Sequence, residues 1–351
     1  MTIAYVFGGM HNEGSTAAPM YERYAAARST YRQVEEWTGY DPDQLLGRSE
    51  PPLGAPSRRV KAIRQAAQAL AVHDVLTELG MRPSVTGGLS LGAQVAACIA
   101  GAVSREALFT LFARSWDEPG GPGGEAAARA QGVAFVGIPV GEDPDGDAYA
   151  PDRVGGSYRG VDLGPVGDGT MRCVMFSGYL DQLERLAESL PPGHQVAKIS
   201  AELPATHSPI QQHISDAMAA EIAGMVFTDP DIPVCSCLET RTLTTAGDVR
   251  DLFLRITTTG VSVPKLLDGL MTHGSELAVV LGPSQFDRYL RSRVPVAHVE
   301  RPGQVDAVLG AVAAVRRECA GMANSDSTDE NERTVEGRLP AQGSVAVVPG
   351  A

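Results

Sequence analysis

The chain opens with a short apolar run, Ile3-Ala4-Tyr5-Val6-Phe7, stopped by Gly8-Gly9, a pattern that predicts a buried strand running into a turn. Between Arg58 and Leu79 the apolar positions Val60, Ile63, Ala66, Leu70, Leu76 and Leu79 recur at roughly helical spacing, and Gly80 stands where a helix C-cap belongs. Pro83-Ser84-Val85-Thr86-Gly87-Gly88 is of β type, and Ser90-Leu91-Gly92 opens a helix over Ala93 to Ile99. A strand, a tight turn and a helix follow one another there. The Gly- and Pro-rich stretch from Glu118 to Gly124 predicts a connection between subdomains. Beyond it, Val133 to Ile138, Arg172 to Phe176 and Gln195 to Ile199 read as strands and Tyr179 to Leu190 as a helix, which together make a small α+β unit of about 75 residues. Gly141 to Gly169 is too polar and Gly-rich to place within that unit. Helical spacing resumes from Ile210 to Val226 and again from Asp248 to Thr257, with apolar strands at Ile232 to Ser236 and Ala278 to Gly282. Asn324 to Gly337 is polar and aperiodic, so residues 322–351 are expected to form a disordered tail.

Composition narrows the classes. With 351 residues of which 43% are apolar, the chain can bury one large core or two smaller ones. Twenty-nine Lys and Arg against 42 Asp and Glu leave a formal charge of -13, which disfavours attraction to phosphate backbones or anionic lipid, so neither nucleic acid nor a membrane is an expected partner. The longest apolar stretches, such as Val95 to Val103, fall well short of the ~20 residues that a bilayer span needs. The N-terminus has no basic leader, and five scattered cysteines fit free thiols in a reducing compartment; a soluble cytoplasmic protein is expected.

Gly88-Leu89-Ser90-Leu91-Gly92 matches the G-x-S-x-G nucleophile elbow, in which small flanking residues permit a strained turn that lifts a serine hydroxyl above the sheet. The helix that begins after Ser90 would aim backbone N–H groups and the positive end of its dipole at the same point, ready for a developing oxyanion. A glycine-rich strand-to-helix turn carrying a chance serine is the bland alternative. Among seven histidines, His207 in Pro204-Ala205-Thr206-His207-Ser208-Pro209 is the candidate base, because it sits in a loop between a strand and a helix; taken alone it reads equally as a satisfied structural histidine. Cys235-Ser236-Cys237 lacks the second ligand pair of a zinc site and reads as two buried thiols in a strand. The carboxylates of Glu142 to Asp152 depart from the spacing of a Ca²⁺ loop, and Gly120 to Gly124 lacks the Lys-Ser/Thr of a phosphate loop.

With these residues in view, the chain from Ile3 to about Arg293 resembles the malonyl-CoA:acyl carrier protein transacylase family, which includes the acyltransferase domains of polyketide and fatty acid synthases. Phe7-Gly8-Gly9-Met10 occupies the place of the family's F-P-G-Q-G oxyanion loop, Gly88 to Gly92 that of G-x-S-x-G, and His207-Ser208-Pro209 that of H-S-P. Gly274 through Gly282-Pro283 looks like its late G-x(n)-G-P segment. The resemblance implies an α/β-hydrolase-like core over 1–125 and 204–321, with a ferredoxin-like α+β subdomain inserted over 126–203. It further implies that Ser90 is the nucleophile and His207 its base, oriented by a backbone carbonyl rather than an Asp. The backbone N–H groups of Met10 and Leu91 would form the oxyanion hole, and Gly9, Leu89 and Ser262 would line the substrate pocket. Arg114, 24 residues after Ser90 by its number, falls where malonyl-specific members carry the arginine that pairs with the substrate carboxylate; a helix-terminal Arg favoured by the dipole is its ordinary reading.

Met10-His11 stands in place of Gln-Gly, Gly8 in place of Pro, Ala93 in place of Glu, and Ser262 where malonyl-specific relatives often carry Gln. These departures point to a discrete, specialised acyltransferase serving a polyketide-type assembly line. The resemblance implies acyl transfer, most simply of malonyl, from a CoA or carrier thioester to the phosphopantetheine thiol of an acyl carrier protein, with no metal or other bound cofactor. Transfer of a neutral or aminoacyl chain, hydrolysis of stalled acyl thioesters, and a non-enzymatic carrier-binding role are the alternatives.

Overall fold

The computed structural model describes residues 1–10, 16–51, 57–115, 129–284 and 293–313. Two units are distinguished: residues 1–308, which hold both sheets and the candidate site, and residues 309–351, of which 309–313 are described and helical.

The first sheet has the order β11-β10-β1-β2-β7-β8 and is built from β1 (Ile3–Phe7), β2 (Val85–Gly88), β7 (Val234–Cys235), β8 (Thr242–Leu243), β10 (Leu277–Leu281) and β11 (Val296–Val299). Every pairing is parallel except that of the edge strand β8 with β7. A parallel sheet is covered on both faces, and all five residues of β1 and all four of β2 are buried, which is why β1 reads as a continuous apolar run rather than an alternation. The long helix α4 (Ser57–Glu78) and α5 (Leu91–Ile99), together with α1 (Ala18–Arg23), α2 (Ala25–Thr38), α3 (Pro42–Leu45) and α6 (Arg105–Ser115), belong to this part. Tyr5 is fully buried within it, and its hydroxyl donates to the Met81 carbonyl at 2.9 Å.

The second sheet has the order β6-β3-β5-β4-β9. β3 (Gln131–Pro139), β4 (Tyr158–Val166), β5 (Met171–Tyr179) and β6 (Gln195–Ser200) pair antiparallel with one another, and α7 (Leu180–Ser189) buries Leu183 and Leu186 against a cluster containing Val136, Val174 and Phe176. A 3-10 turn at Asp147–Tyr149, not an α-helix, lies between β3 and β4. β9 (Val261–Ser262) comes from the later part of the chain and adds parallel to β4, which stitches the two sheets together.

The expected strands and helices from Ile3 to Phe7, Arg58 to Leu79, Ala93 to Ile99, and Val133 to Ile199 are all present, with shifts of a few residues at their ends. The segment that the sequence left empty, Gly141 to Gly169, contains β4; its two glycines and proline, and register shifts after Arg159 and Asp162, hide the strand alternation. After Pro209 the helix α8 starts at Gln212 and ends at Gly224, and α9 covers Ala246–Arg255, followed by α10 (Val263–Thr272). The Cys235–Cys237 pair is split: Cys235 is in β7, Cys237 is in the bend that follows, and both are buried free thiols. The connection at 118–124 and the tail at 322–351 lie outside the described residues.

Candidate active site

Ser90 stands between β2 and α5 with φ 56° and ψ -122°, a left-handed conformation that few non-glycine residues adopt. Such a backbone costs on the order of 1–3 kcal/mol and persists where the surroundings enforce it. Here the enforcement is steric. A Cβ on Gly92 would lie 2.2 Å from the Phe7 carbonyl oxygen and 2.5 Å from that of Gly8, and a Cβ on Gly88 would lie 2.2 Å from the Gly92 carbonyl oxygen. The two glycines of the pentapeptide thus let the start of α5 press onto the end of β1, and the Leu89 N–H donates to the Phe7 carbonyl at 2.9 Å. The Leu91 N–H, first in the helix, has no intrahelical acceptor and stands one residue from the hydroxyl.

The loop that ends β1 meets the serine. A Cβ on Gly9 would lie 3.6 Å from Ser90 Cβ and 3.5 Å from the Leu89 carbonyl oxygen. On its other side the Gly9 carbonyl accepts from Gln65 Nε2 at 2.6 Å, and since N–H and C=O point oppositely across a trans peptide, the Met10 N–H faces away from α4. Gln65 carries no mark in the sequence, because an amide within a helix looks the same wherever it points.

His207 is buried and, like Ser90, has φ 56°. Its loop is fixed by the second sheet: Ser177 Oγ of β5 donates to the Thr206 carbonyl at 2.6 Å, and the Gln131 side chain of β3 accepts from the Ala205 N–H at 3.2 Å. The Ile256 carbonyl lies 2.6 Å from His207 Nδ1; a carbonyl only accepts, so Nδ1 carries the proton and Nε2 keeps its lone pair. Burial pulls the imidazole down to about 4, with the Arg58 guanidinium acting in the same direction and the Ile256 and Thr259 backbone opposing. The ring is therefore neutral at pH 7, as a proton acceptor must be. Among the described residues no hydrogen bond joins it to the Ser90 hydroxyl. α4 relates the two, since Arg58, whose charge acts on His207, precedes Gln65, which holds Gly9 against Ser90, by about 10 Å of helix axis. Cys237 is also beside the serine: burial pushes its thiol up to about 11, with the Ser90 backbone N–H pulling the other way.

The remaining residues proposed from sequence fall elsewhere. Leu89 is buried in the turn. Ser262 is buried as the N-cap of α10, where its hydroxyl donates to Asp162 Oδ2 at 3.1 Å and accepts from the Lys265 N–H at 3.3 Å; it does not line the cavity that His207 lines. Arg114, at the end of α6, keeps 64% of its side chain exposed, pairs with Glu221 of α8 at 3.2 Å, and lines a cavity of about 580 Å³ that includes neither Ser90 nor His207. Among the described residues no hydrogen bond or ion pair joins Arg114 to Ser90 or His207. His207 opens instead onto a cavity of about 460 Å³ between the second sheet and the loop after α9, lined among others by Tyr149, Arg159, Pro209 and Thr259. Among the described residues no group of three or more His, Cys, Asp or Glu is placed to hold a metal ion, and no helix is long and apolar enough to cross a membrane.

No family model matches the chain. It is 23% identical over 306 residues to the malonyl CoA-acyl carrier protein transacylase of Salmonella typhimurium strain LT2, covering 83% of this chain and 92% of that protein. The chain is a relative of the malonyl CoA-acyl carrier protein transacylases. Its fold matches that of the transacylase of this name from Clostridium perfringens with a TM-score of 0.77, at 17% identity, over 92% of this chain and 100% of that one. A malonyl-transacylase solved in complex with a type II polyketide synthase acyl-carrier protein matches with a TM-score of 0.74, at 20% identity, over 88% of this chain and 99% of that one. The α/β architecture is thus that of the transacylase structures.

Proposed function

We propose that this protein is an acyltransferase that moves a malonyl-type acyl group from a CoA thioester to the phosphopantetheine thiol of an acyl carrier protein. The reading is supported by the strained Ser90 turn at the start of α5, together with a buried histidine that is neutral and carries its proton on Nδ1, leaving the Nε2 lone pair. The transacylase relatives support the same donor and acceptor. The architecture fits an α/β-hydrolase-like core with a ferredoxin-like insertion: the strand order β6-β3-β5-β4 is that expected of such an insertion, although a 3-10 turn stands where its first helix would be.

In the first half-reaction the Ser90 hydroxyl attacks the thioester carbonyl while His207 Nε2 takes its proton. Charge on the carbonyl oxygen is met by the N–H groups of Leu91 and Met10, the former at the positive end of α5. The C–S bond breaks, the CoA thiolate recovers the proton from the imidazole, and the acyl group remains as an ester on Ser90. The carrier's thiol then gives its proton to His207, attacks the ester and leaves with the acyl group, restoring the serine hydroxyl. The Ile256 carbonyl stabilises the imidazolium formed in each half and holds the ring in one tautomer, the part an Asp plays in a three-residue arrangement. A place in a polyketide-type pathway accords with the departures at Gly8, Met10 and Ala93.

The test is to incubate the protein with malonyl-CoA, weigh the intact chain, and then add a holo carrier protein. A malonyl adduct on Ser90 that passes to the carrier supports the proposal. An adduct that is released as free acid at the same rate with or without carrier would make the protein a hydrolase.

A further inference from the structure

The way α9 ends leaves one carbonyl free. The Thr258 and Thr259 N–H groups both donate to the Arg255 carbonyl, at 3.1 and 2.9 Å, so the chain folds back around Arg255 and the Ile256 carbonyl is left to accept from His207 Nδ1 at 2.6 Å. Where that carbonyl points therefore depends on where the last turn of α9 is held. The Arg255 side chain holds it. Its Nη1 pairs with Asp251, one turn earlier in α9, at 2.8 Å and with Glu239 at 2.6 Å.

Glu239 belongs to the loop that joins β7 to β8. Cys235 stands opposite Gly87 in parallel register, so the chain leaves β7 for this loop at the level where it leaves β2 for the Ser90 turn. The loop is tightly bonded: the Ser236 hydroxyl oxygen accepts from the Leu238 and Glu239 N–H groups at 3.1 and 3.4 Å, and the Ser236 N–H donates to the Arg241 carbonyl at 3.0 Å. Within it lies Cys237, the buried thiol beside the Ser90 N–H. A second arginine repeats the tie, since Arg241 Nη1 reaches Asp248 of α9 at 2.7 Å. Glu239 and Arg255 keep 42% and 37% of their side chains exposed, and an ion pair so placed adds little to stability. Its effect on geometry is of another order, because a misplacement of about 1 Å between reacting groups costs on the order of 10²-fold in rate.

We infer that Arg255 and Glu239 are positioning residues: their ion pair ties the loop beside Ser90 to the end of α9 that carries the Ile256 carbonyl, and so sets how the nucleophile and its base meet. The inference rests on the acyl-transfer reading.

The experiment measures Ser90 acylation by malonyl-CoA as kcat and KM, the urea midpoint, and exchange of the His207 Nδ1 proton by NMR, that signal being assigned by its loss in His207→Gln. The proteins compared are the wild type, Glu239→Gln, Arg255→Gln, Arg255→Lys and the double variant Glu239→Gln/Arg255→Gln. The expected result is a kcat lowered roughly 10- to 100-fold in each Gln variant, with KM and the urea midpoint near those of the wild type and a faster-exchanging Nδ1 proton. Arg255→Lys should recover part of the rate, and the double variant should be no slower than the slower single one, as for two residues that act through one contact. An unchanged kcat in both Gln variants would overturn the inference. So would losses that multiply in the double variant, or a kcat loss matched by a fallen urea midpoint, which would make the pair a general stabiliser of the fold. An Nδ1 proton that exchanges as in the wild type would overturn it too, since the Ile256 carbonyl would then be held by other means. If wild-type Ser90 accepts no acyl group, the acyl-transfer reading itself fails and takes the inference with it, whereas normal loading by wild type and variants alike sinks the inference alone.

Discussion

Protonating His207 perturbs both the chemistry and the fold, and the two effects have a common origin. The imidazole is buried, donates from Nδ1 to the Ile256 carbonyl, and is held near 4 rather than at its ordinary value of about 6.5. The unfolded chain takes up this proton near pH 6.5, whereas the folded chain takes it up only near 4. Between those values the unfolded state binds the extra proton, so stability falls as the pH drops through that window; above about 6.5 it is unaffected by this group, and below about 4 no more is lost. At about 1.4 kcal/mol per pH unit the total comes to about 3 kcal/mol. Over the same window the folded protein keeps a neutral base, so kcat/KM for Ser90 acylation should stay flat from about pH 8 to about pH 5 and decline below it. Two measurements check this. Quenched-flow acylation at limiting acyl-CoA gives the rate profile, and urea unfolding of wild type and His207→Gln as a function of pH gives the stability difference, which should shrink by about 3 kcal/mol toward low pH. An inflection of kcat/KM near 6.5, together with urea curves that stay parallel, would refute both the burial argument and the assignment of His207 as the buried base.

Ser90→Ala should abolish covalent loading and leave the urea midpoint at or above that of wild type, because the change deletes one hydroxyl at a turn and no core volume; continued acylation would remove Ser90 from the mechanism. His207→Ala should slow loading by a factor of ~10²–10⁴, and a rate near wild type would mean that another base serves the serine. Gly92→Ala places a Cβ 2.2 Å from a backbone oxygen that cannot move independently of β1, so a stability loss of about 1–3 kcal/mol and collapse of the loading rate are expected; a wild-type midpoint would show that the turn is looser than described. Ser262→Ala removes an N-cap acceptor and a donor to Asp162, at a cost of about 1 kcal/mol in urea unfolding. Its preference among acyl chain lengths should not change, and a changed preference would restore Ser262 to the substrate pocket.

The elements that could be read along the chain are those whose signal is local. Gly88 and Gly92 are required by contacts within the turn they flank and with the strand beside it, so G-x-S-x-G carried the position of Ser90 in five residues. The apolar run at Ile3 to Phe7 and the spacing of Val60 to Leu76 declared a doubly buried strand and a long helix for the same reason. His207 was visible as a polar residue in a short loop bounded by prolines.

What stayed hidden depends on residues far apart in sequence. The carbonyl that orients His207 belongs to Ile256, 49 positions away, and a backbone acceptor leaves no mark on residue type. β4 was invisible because its glycines, proline and register shifts erase the alternation, and it becomes a strand by pairing with β5 and β9. Arg114 shows the limit most plainly. Separation along a helix fixes how far a side chain is from Ser90 in sequence but not which way it points, since one residue of helix turns a side chain by about 100°. The sequence by itself determined where the strained Ser90 turn and the His207 loop lie. Only the tertiary structure decided their partners, because the fold brings the Ile256 carbonyl to His207 Nδ1 and the packing of α6 on α8 pairs Arg114 with Glu221.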